Sequence, residues 1–219
     1  MGSVTAHSTA RKQRHGFLAL TLLCGAGLAA WFIAHNVFFY WTYTPENFSP
    51  YYWPRRYGLV VHISCGAMAL TVGLIQLWLG VTGRSRAWHR RLGRVYVGTV
   101  LFGATAALYM LATIPPPLGL YAAGLVAMEV AWIITTGQGY FAIRRGALAL
   151  HRSWMLRSYV ITFSFVVLRL MTAAMAAAGI GTEDSRFDAA AWLSWVIPLL
   201  LLEVYLRRAK SAASSMRTA

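Results

Sequence analysis

The sequence predicts an all-α integral membrane protein, a bundle of six transmembrane helices with both termini in the cytoplasm. The chain is 58% hydrophobic and only 12% charged, whereas a soluble domain carries about 25% charged residues. Its apolar residues gather into runs of about 20 residues or more, which is the length that crosses a bilayer. Its basic residues fall mainly in alternate connections between those runs, as membrane topology requires.

Six spans account for the apolar runs, and the segments outside them are short. The predicted spans are Gly16–Tyr40, Tyr57–Thr82, Arg91–Thr113, Leu118–Ile143, Arg157–Ala178 and Ala189–Arg207. We divide the chain into a disordered cytoplasmic N-terminus (1–15), the six-helix domain (16–208) and a basic cytoplasmic tail (209–219). The first apolar run, Phe17 to Trp41, is too long for the core of a signal peptide, so it is kept as a span.

Basic residues mark one side of the membrane. The N-terminal segment, the second and fourth connections and the C-terminal tail carry Arg11, Lys12, Arg14, Arg84, Arg86, Arg90, Arg91, Arg144, Arg145, Arg152, Arg207, Arg208, Lys210 and Arg217. The third connection, 114–117, has no charge, and the fifth carries three acidic residues and Arg186. Only Arg55 and Arg56, in the first connection, break the alternation. The positive-inside rule then places both termini in the cytoplasm.

The composition excludes several classes of function. The net charge of +14 does not indicate nucleic-acid binding, because the basic residues lie between spans. Cys24 and Cys65 fall in apolar segments and suggest neither a disulfide framework nor a zinc motif. No phosphate-binding loop, nucleophile elbow or metalloprotease helix is present. The one enzymatic role left open is that of a membrane oxidoreductase component.

A short basic motif occurs twice. Residues 88–96 read Trp-His-Arg-Arg-Leu-Gly-Arg-Val-Tyr, and residues 151–159 read His-Arg-Ser-Trp-Met-Leu-Arg-Ser-Tyr. Each copy opens on His-Arg, has a further Arg five or six residues after the His, and reaches a Tyr two residues later. We interpret this as a weak duplication of a hairpin, in which spans two and three repeat as spans four and five.

Each histidine of these spans opens a stripe at helical spacing that is predicted to face inward. In the second span the stripe is small and polar, which allows a neighbouring backbone or a flat ligand to approach closely. The stripes are His62, Gly66, Ala69, Gly73, Gln76 and Gly80; His89, Gly93, Tyr96, Val100, Gly103 and Ala107; and His151, Met155, Ser158, Thr162, Phe165, Arg169 and Thr172.

Two ionisable residues are expected near the middle of the bilayer. Glu129 lies well inside the fourth span and Arg169 well inside the fifth, which runs the other way. An isolated charge there is costly, so the two are predicted to form a buried polar pair or to share a polar cavity. A structural ion pair and a functional polar site both fit. Glu203 is predicted to pair with Arg207 or Arg208.

The histidines suggest a b-type haem, which needs two imidazoles from facing helices and donors for its propionates. His89 and His151 would hold an inner haem, and His62 with His35 an outer one. The neighbouring basic and aromatic side chains Arg90, Arg91, Arg94, Arg152, Arg157 and Tyr96 would complete the binding site. The predicted function is therefore haem-based electron transfer within or across the membrane.

Other interpretations keep the same residues. His-Arg clusters at helix ends also meet the phosphates of membrane lipids. A basic, aromatic pocket would suit a quinone or a lipid headgroup, and His62, Glu129 and Arg169 could conduct protons. Alternatively, the apolar outer surface would dock the protein, as an accessory subunit, onto a larger respiratory or redox complex.

The motifs resemble a bacterial family of predicted multi-pass membrane proteins of unknown function, which implies a bacterial cytoplasmic (inner) membrane as the location. The resemblance covers roughly Tyr57 to Arg169 and is carried by His62, Gln76, the His89–Tyr96 motif, Trp132, the His151–Ser158 motif and Arg169. The family implies no activity. More loosely, paired histidines in a helical bundle are similar to two-haem cytochrome b and ferric-reductase-like membrane proteins, from whose usual arrangement this chain departs because its inner histidines lie at helix ends.

Overall fold

The computed structural model describes residues 2–42, 44–113 and 119–218, and it describes no side chains for residues 2–15, 17, 18, 49–51, 213 and 215–218. Throughout these residues the regular structure is helical. The helices are α1 (Gly2–Asn36), α2 (Phe38–Trp41), α3 (Pro45–Tyr52), a 3-10 turn (Trp53–Arg55), α4 (Arg56–Thr82), α5 (Arg86–Ala112), α6 (Leu120–Arg144), α7 (Leu148–Ala177) and α8 (Glu183–Thr218).

Six segments in this part of the chain are long and apolar enough to cross a bilayer, which confirms the all-α, six-span fold. They are Ala19–Trp41, Trp53–Thr82, Arg86–Ala112, Leu120–Arg144, Leu148–Ala177 and Glu183–Ala212. The cytoplasmic location of both termini stays a prediction. The uncharged third connection, 114–117, lies outside the described residues.

Several helices extend beyond the predicted spans. Helices α5 and α7 begin at Arg86 and Leu148, ahead of the predicted starts at Arg91 and Arg157. An apolar run marks only the part of a helix inside the bilayer, whereas backbone hydrogen bonding continues into the basic turn. Ser85 caps α5, its Oγ accepting a hydrogen bond from the Trp88 N–H at 3.4 Å. The two His-Arg motifs are therefore helical.

The first helix also begins ahead of its predicted span. Residues 2–15 belong to α1, and the disordered cytoplasmic N-terminus stays a prediction. The segment contains alanine, arginine, lysine and glutamine, which are good helix formers, and it is continuous with an apolar helix.

The aromatic first connection is folded against the bundle. It forms α2, α3 and the 3-10 turn, and Phe48 is fully buried beside Leu59, Ala107 and Met110. Tyr43, also in this connection, lies outside the described residues. Burial of Phe48 anchors this connection to the ends of α4 and α5.

The core lies where α4, α5, α6 and α7 meet. Its buried residues are Ala69, Val72, Tyr96, Val100, Ala104, Met128, Trp132 and Ile161. The small-residue stripe of α4 faces α5 and α7, as predicted. Gly73 lies so close to the Tyr159 ring that a Cβ there would overlap the ring, and the Tyr159 hydroxyl donates to the Leu70 carbonyl oxygen at 3.2 Å. Close helix contact therefore depends on the absence of a side chain at position 73.

Candidate functional site

His89 and His151 occupy the same position in two helices. Each is the fourth residue of its helix, α5 or α7. Each backbone N–H also makes the same first helical bond, from His89 to the Ser85 carbonyl oxygen at 3.0 Å and from His151 to the Ala147 carbonyl oxygen at 2.9 Å. The duplicated motif thus places two histidines at one end of the bundle.

The ring of His151 has a fixed tautomer. Its Nδ1 lies 2.8 Å from the carbonyl oxygen of Gly139 on α6. A carbonyl only accepts, so Nδ1 carries the proton, and in the neutral ring Nε2 keeps a free lone pair. That lone pair is what a metal ion or a proton donor requires.

The ring of His89 is held less completely. Its Nδ1 is buried and makes no hydrogen bond within the described part of the chain. The backbone is anchored instead, because Gln76 Nε2 donates to the His89 carbonyl oxygen at 2.7 Å. A Cβ added at Gly80 would lie 3.5 Å from the His89 ring. Glycine on α4 therefore leaves room beside this imidazole.

The arginines of the two motifs divide into two groups. Arg90, Arg91, Arg94 and Arg152 are exposed, and none of them forms an ion pair among the described residues. Arg157 binds Glu203 of α8, with Nε–Oε1 at 2.5 Å and Nη2–Oε2 at 3.0 Å. Two predictions are wrong here: Arg157 is not available to a cofactor, and Glu203 pairs with Arg157 instead of Arg207 or Arg208. Residues far apart in sequence meet because α7 packs on α8.

Tyr96 does not reach a binding site. It is 2% exposed, and its hydroxyl lies 2.8 Å from Ser158 Oγ and 2.7 Å from Thr162 Oγ1. Thr136 Oγ1 lies 2.6 Å from Ser158 Oγ, and Trp132 Nε1 donates to Thr162 Oγ1 at 2.9 Å. The expected role of Tyr96 in cofactor binding is therefore replaced by a place in a buried hydroxyl network. The sequence signal for this network was the hydroxyl residues Ser158 and Thr162 on the α7 stripe, but their partners could not be inferred from the sequence.

His35 and His62 do not come together as the outer pair that was expected. His35 is exposed, its Nδ1 donates to the Trp31 carbonyl oxygen at 2.8 Å, and its ring packs on Trp31. His62 lines a cavity to which α1 contributes Phe32 and Asn36 but not His35. The reason is helical geometry, since His35 projects from another face of α1 than these two residues.

This cavity lies at the end of the bundle opposite to His89 and His151. It has a volume of about 380 Å³ and receives side chains from α1, α4, α5, α6 and α7. Most of its lining is apolar or aromatic, and His62, Glu129 and Arg169 reach it from the interior of α4, α6 and α7. Tyr52 and Arg55 of the first connection also contribute to it. The sequence predicted the three ionisable residues but not the cavity's shape.

Glu129 and Arg169 share the cavity without forming an ion pair. Glu129 is 2% exposed, and its Oε2 has no hydrogen-bond partner within the described part of the chain. Arg169 is exposed, and no ion pair among the described residues includes either side chain. Of the two expected arrangements, the buried pair is therefore wrong and the shared cavity is observed, because both side chains line the cavity and no ion pair among the described residues joins them.

His62 is positioned in the cavity as rigidly as His151 is at the other end. Its Nδ1 donates to the carbonyl oxygen of Gly103 on α5 at 3.0 Å. Its ring meets Phe165 edge-on with centroids 5.4 Å apart, and Trp132 meets the same Phe165 at 6.1 Å. Nε2 of the neutral ring is thus an acceptor.

No group of three or more His, Cys, Asp or Glu side chains in the described part of the chain is arranged to hold a metal ion. Zinc sites use three or four such ligands, whereas a haem iron needs only two from the protein. A haem site at the paired histidines therefore does not require a group of this kind.

One comparison with known proteins, that with family models, agrees with the membrane fold. No curated protein and no solved structure matches the chain. One family model, described as "Predicted membrane protein (DUF2306)", matches residues 59–206. The match includes both His-Arg motifs, His62, Glu129 and Arg169, and it covers more than half of the 219 residues. This multi-pass membrane protein therefore belongs to the predicted membrane protein family DUF2306.

Proposed function

We propose that this protein binds a b-type haem between His89 and His151 and transfers electrons within or across the membrane. The observation that supports the proposal is the equal placement of the two histidines in the first turns of α5 and α7. Helices that present imidazoles at one level are the arrangement by which helical bundles hold cofactors. The haem would supply one-electron chemistry, and the protein its position and electrostatics.

The surroundings of the His151 ring fit a metal ligand, and the His89 ring has a glycine beside it that leaves room for a bound group. Metal-binding histidines usually donate their second ring nitrogen to a carboxylate, a backbone carbonyl or water, which fixes ring and tautomer. His151 does so to Gly139 at 2.8 Å. His89 has a buried Nδ1 that forms no hydrogen bond among the described residues, and a glycine, Gly80, lies beside its ring. Leaving a buried nitrogen without a hydrogen bond costs free energy. A bound group that hydrogen-bonds to this nitrogen or coordinates it would therefore stabilise the site.

The propionates would meet the arginines at the same end. Arg90, Arg94 and Arg152 carry guanidinium groups without ion-pair partners among the described residues, and guanidinium binds carboxylate in a two-pronged geometry. Arg157 is excluded because Glu203 occupies it. We do not assign a second haem to His62, since His35 lies away from it.

Absorption spectra of the purified protein test this proposal. Expression with added haem precursor should give a Soret band and, on reduction, the sharp visible bands of a six-coordinate b-type haem. His89→Ala and His151→Ala should each lose the six-coordinate spectrum. His35→Ala is the matched control, because it removes an exposed imidazole of the same chain, and it should keep the spectrum. A colourless wild-type protein, or variants that both retain the bands, would contradict the proposal.

A further inference from the structure

The cavity at the other end of the bundle has the composition of a ligand site that the haem proposal does not use. Its walls are mainly apolar and aromatic, and they enclose the Glu129 carboxyl group, which is 2% exposed and whose Oε2 has no hydrogen-bond partner among the described residues. Binding pockets for small molecules combine such walls with a few polar groups that fix orientation. An unsatisfied carboxyl oxygen facing a cavity costs free energy unless something in the cavity accepts or donates a hydrogen bond.

The charges inside the cavity favour a neutral ligand. In the interior of α4, α6 and α7 the cavity contains one acidic group, Glu129, one guanidinium, Arg169, and the imidazole of His62. The second guanidinium that lines it, Arg55 in the 3-10 turn before α4, already donates to Thr113 at 2.8 and 2.6 Å. A ligand with a net charge would leave one charge uncompensated at a depth where charge is expensive. The ligand should therefore be uncharged, soluble in the membrane and able to form hydrogen bonds at more than one edge.

The three polar groups lie at comparable depth on three helices. Counting from the nearer ends of α4, α6 and α7, His62, Glu129 and Arg169 are about 9 to 14 Å inside their helices. They approach the same space from different sides, and Phe165 and Trp132 present aromatic surfaces beside His62. A planar ring with polar atoms at opposite edges matches this arrangement.

We propose that the cavity bounded by His62, Glu129 and Arg169 binds the head group of a membrane-soluble quinone. The proposal concerns binding alone and does not depend on haem at the other end of the bundle.

The hydrogen-bonding capacities suit both redox forms of such a head group. Arg169 can only donate, so it suits a quinone carbonyl oxygen. Nε2 of His62 is an acceptor, because Nδ1 donates to Gly103, so it suits a quinol hydroxyl. Glu129 accepts when ionised and donates when protonated. The same three residues therefore provide partners before and after reduction of the ligand.

Blocking the cavity tests the proposal. Gly66 lines the cavity, and a Cβ added there meets no atom within 4 Å, so Gly66→Leu should fill the space without a clash at Cβ. The matched control is Gly137→Leu on α6, where a Cβ also meets nothing within 4 Å and which lies outside the cavity lining. Binding of decylubiquinone to the purified full-length protein is followed by quenching of tryptophan fluorescence, since Trp132 lines the cavity.

The expected result is saturable quenching in the wild type and in Gly137→Leu, with dissociation constants within a factor of two. In Gly66→Leu the dissociation constant should rise at least tenfold, and Glu129→Leu, which keeps Gly66 but removes the carboxyl, should weaken binding in the same direction. Non-saturable quenching in the wild type, or equal affinity in both glycine variants, would overturn the proposal. Because the readout uses no haem, a colourless protein that binds quinone would refute the proposed function and leave this inference standing.

Discussion

Arg157 and Glu203 form a two-pronged ion pair between α7 and α8, with nitrogen–oxygen distances of 2.5 and 3.0 Å. The guanidinium also lies over the Trp154 ring, 4.7 Å from its centroid. The pair is partly exposed, with side-chain accessibilities of 15% and 31%. It ties the second motif to the last helix, so one of its arginines has a structural role.

Breaking this pair should weaken the contact between α7 and α8. Arg157→Ala is expected to lower the free energy of unfolding by about 1–2 kcal/mol, because a partly exposed, two-pronged pair is worth more than a surface contact and less than a buried one. Thermal unfolding in detergent would measure it. Arg152→Ala removes an exposed arginine of the same motif and should have little effect. If Arg157→Ala and Glu203→Ala add independently in the double variant, the two residues are not coupled.

Removal of one buried hydroxyl should disturb the network in the core. Tyr96→Phe deletes the partner of Ser158 and Thr162, both buried. Those hydroxyls keep other bonds, so we expect a loss of about 1 kcal/mol, the lower end for an unsatisfied buried group. Tyr109→Phe is the control, since Tyr109 is 62% exposed. An unchanged melting temperature for Tyr96→Phe would show that the network contributes nothing to stability.

A methyl group at Gly73 should separate α4 from α7. The added Cβ would overlap the Tyr159 ring and lie 3.1 Å from the Tyr96 ring, so Gly73→Ala is expected to cost about 1–3 kcal/mol as an overpacked core. Gly66→Ala on the same helix meets no atom within 4 Å and should be neutral, or stabilising by up to about 1 kcal/mol through helix propensity. Comparison of the two melting temperatures isolates packing from propensity, and equal shifts would argue against close contact at Gly73.

The orientation in the membrane is testable with reporter fusions. A fluorescent protein fused after Ala219 should fluoresce, because the basic connections place the C-terminus in the cytoplasm. Alkaline phosphatase inserted at Gly181, between α7 and α8, should be active, because that connection is predicted to lie outside. The reverse pattern of activities would invert the topology without altering the fold.

The sequence by itself determined the fold class and the candidate positions. Apolar runs of bilayer length define six spans because backbone in hydrocarbon must satisfy its own hydrogen bonds, which leaves few alternatives to the helix. Helical spacing correctly placed the α4 stripe, from His62 to Gly80, toward the core. The duplicated motif identified His89 and His151, which lie at the same position of their helices.

Only the tertiary structure decided which side chains meet. Periodicity specifies the face of a helix but not its rotation and depth relative to distant neighbours, so the partner of Arg157, the isolation of His35 and the buried hydroxyls of Tyr96 could not be inferred. The same holds for Glu129 and Arg169, which reach one cavity from α6 and α7 without pairing. Contacts of this kind arise from packing among five helices, and that packing is determined by the shapes of all their side chains together.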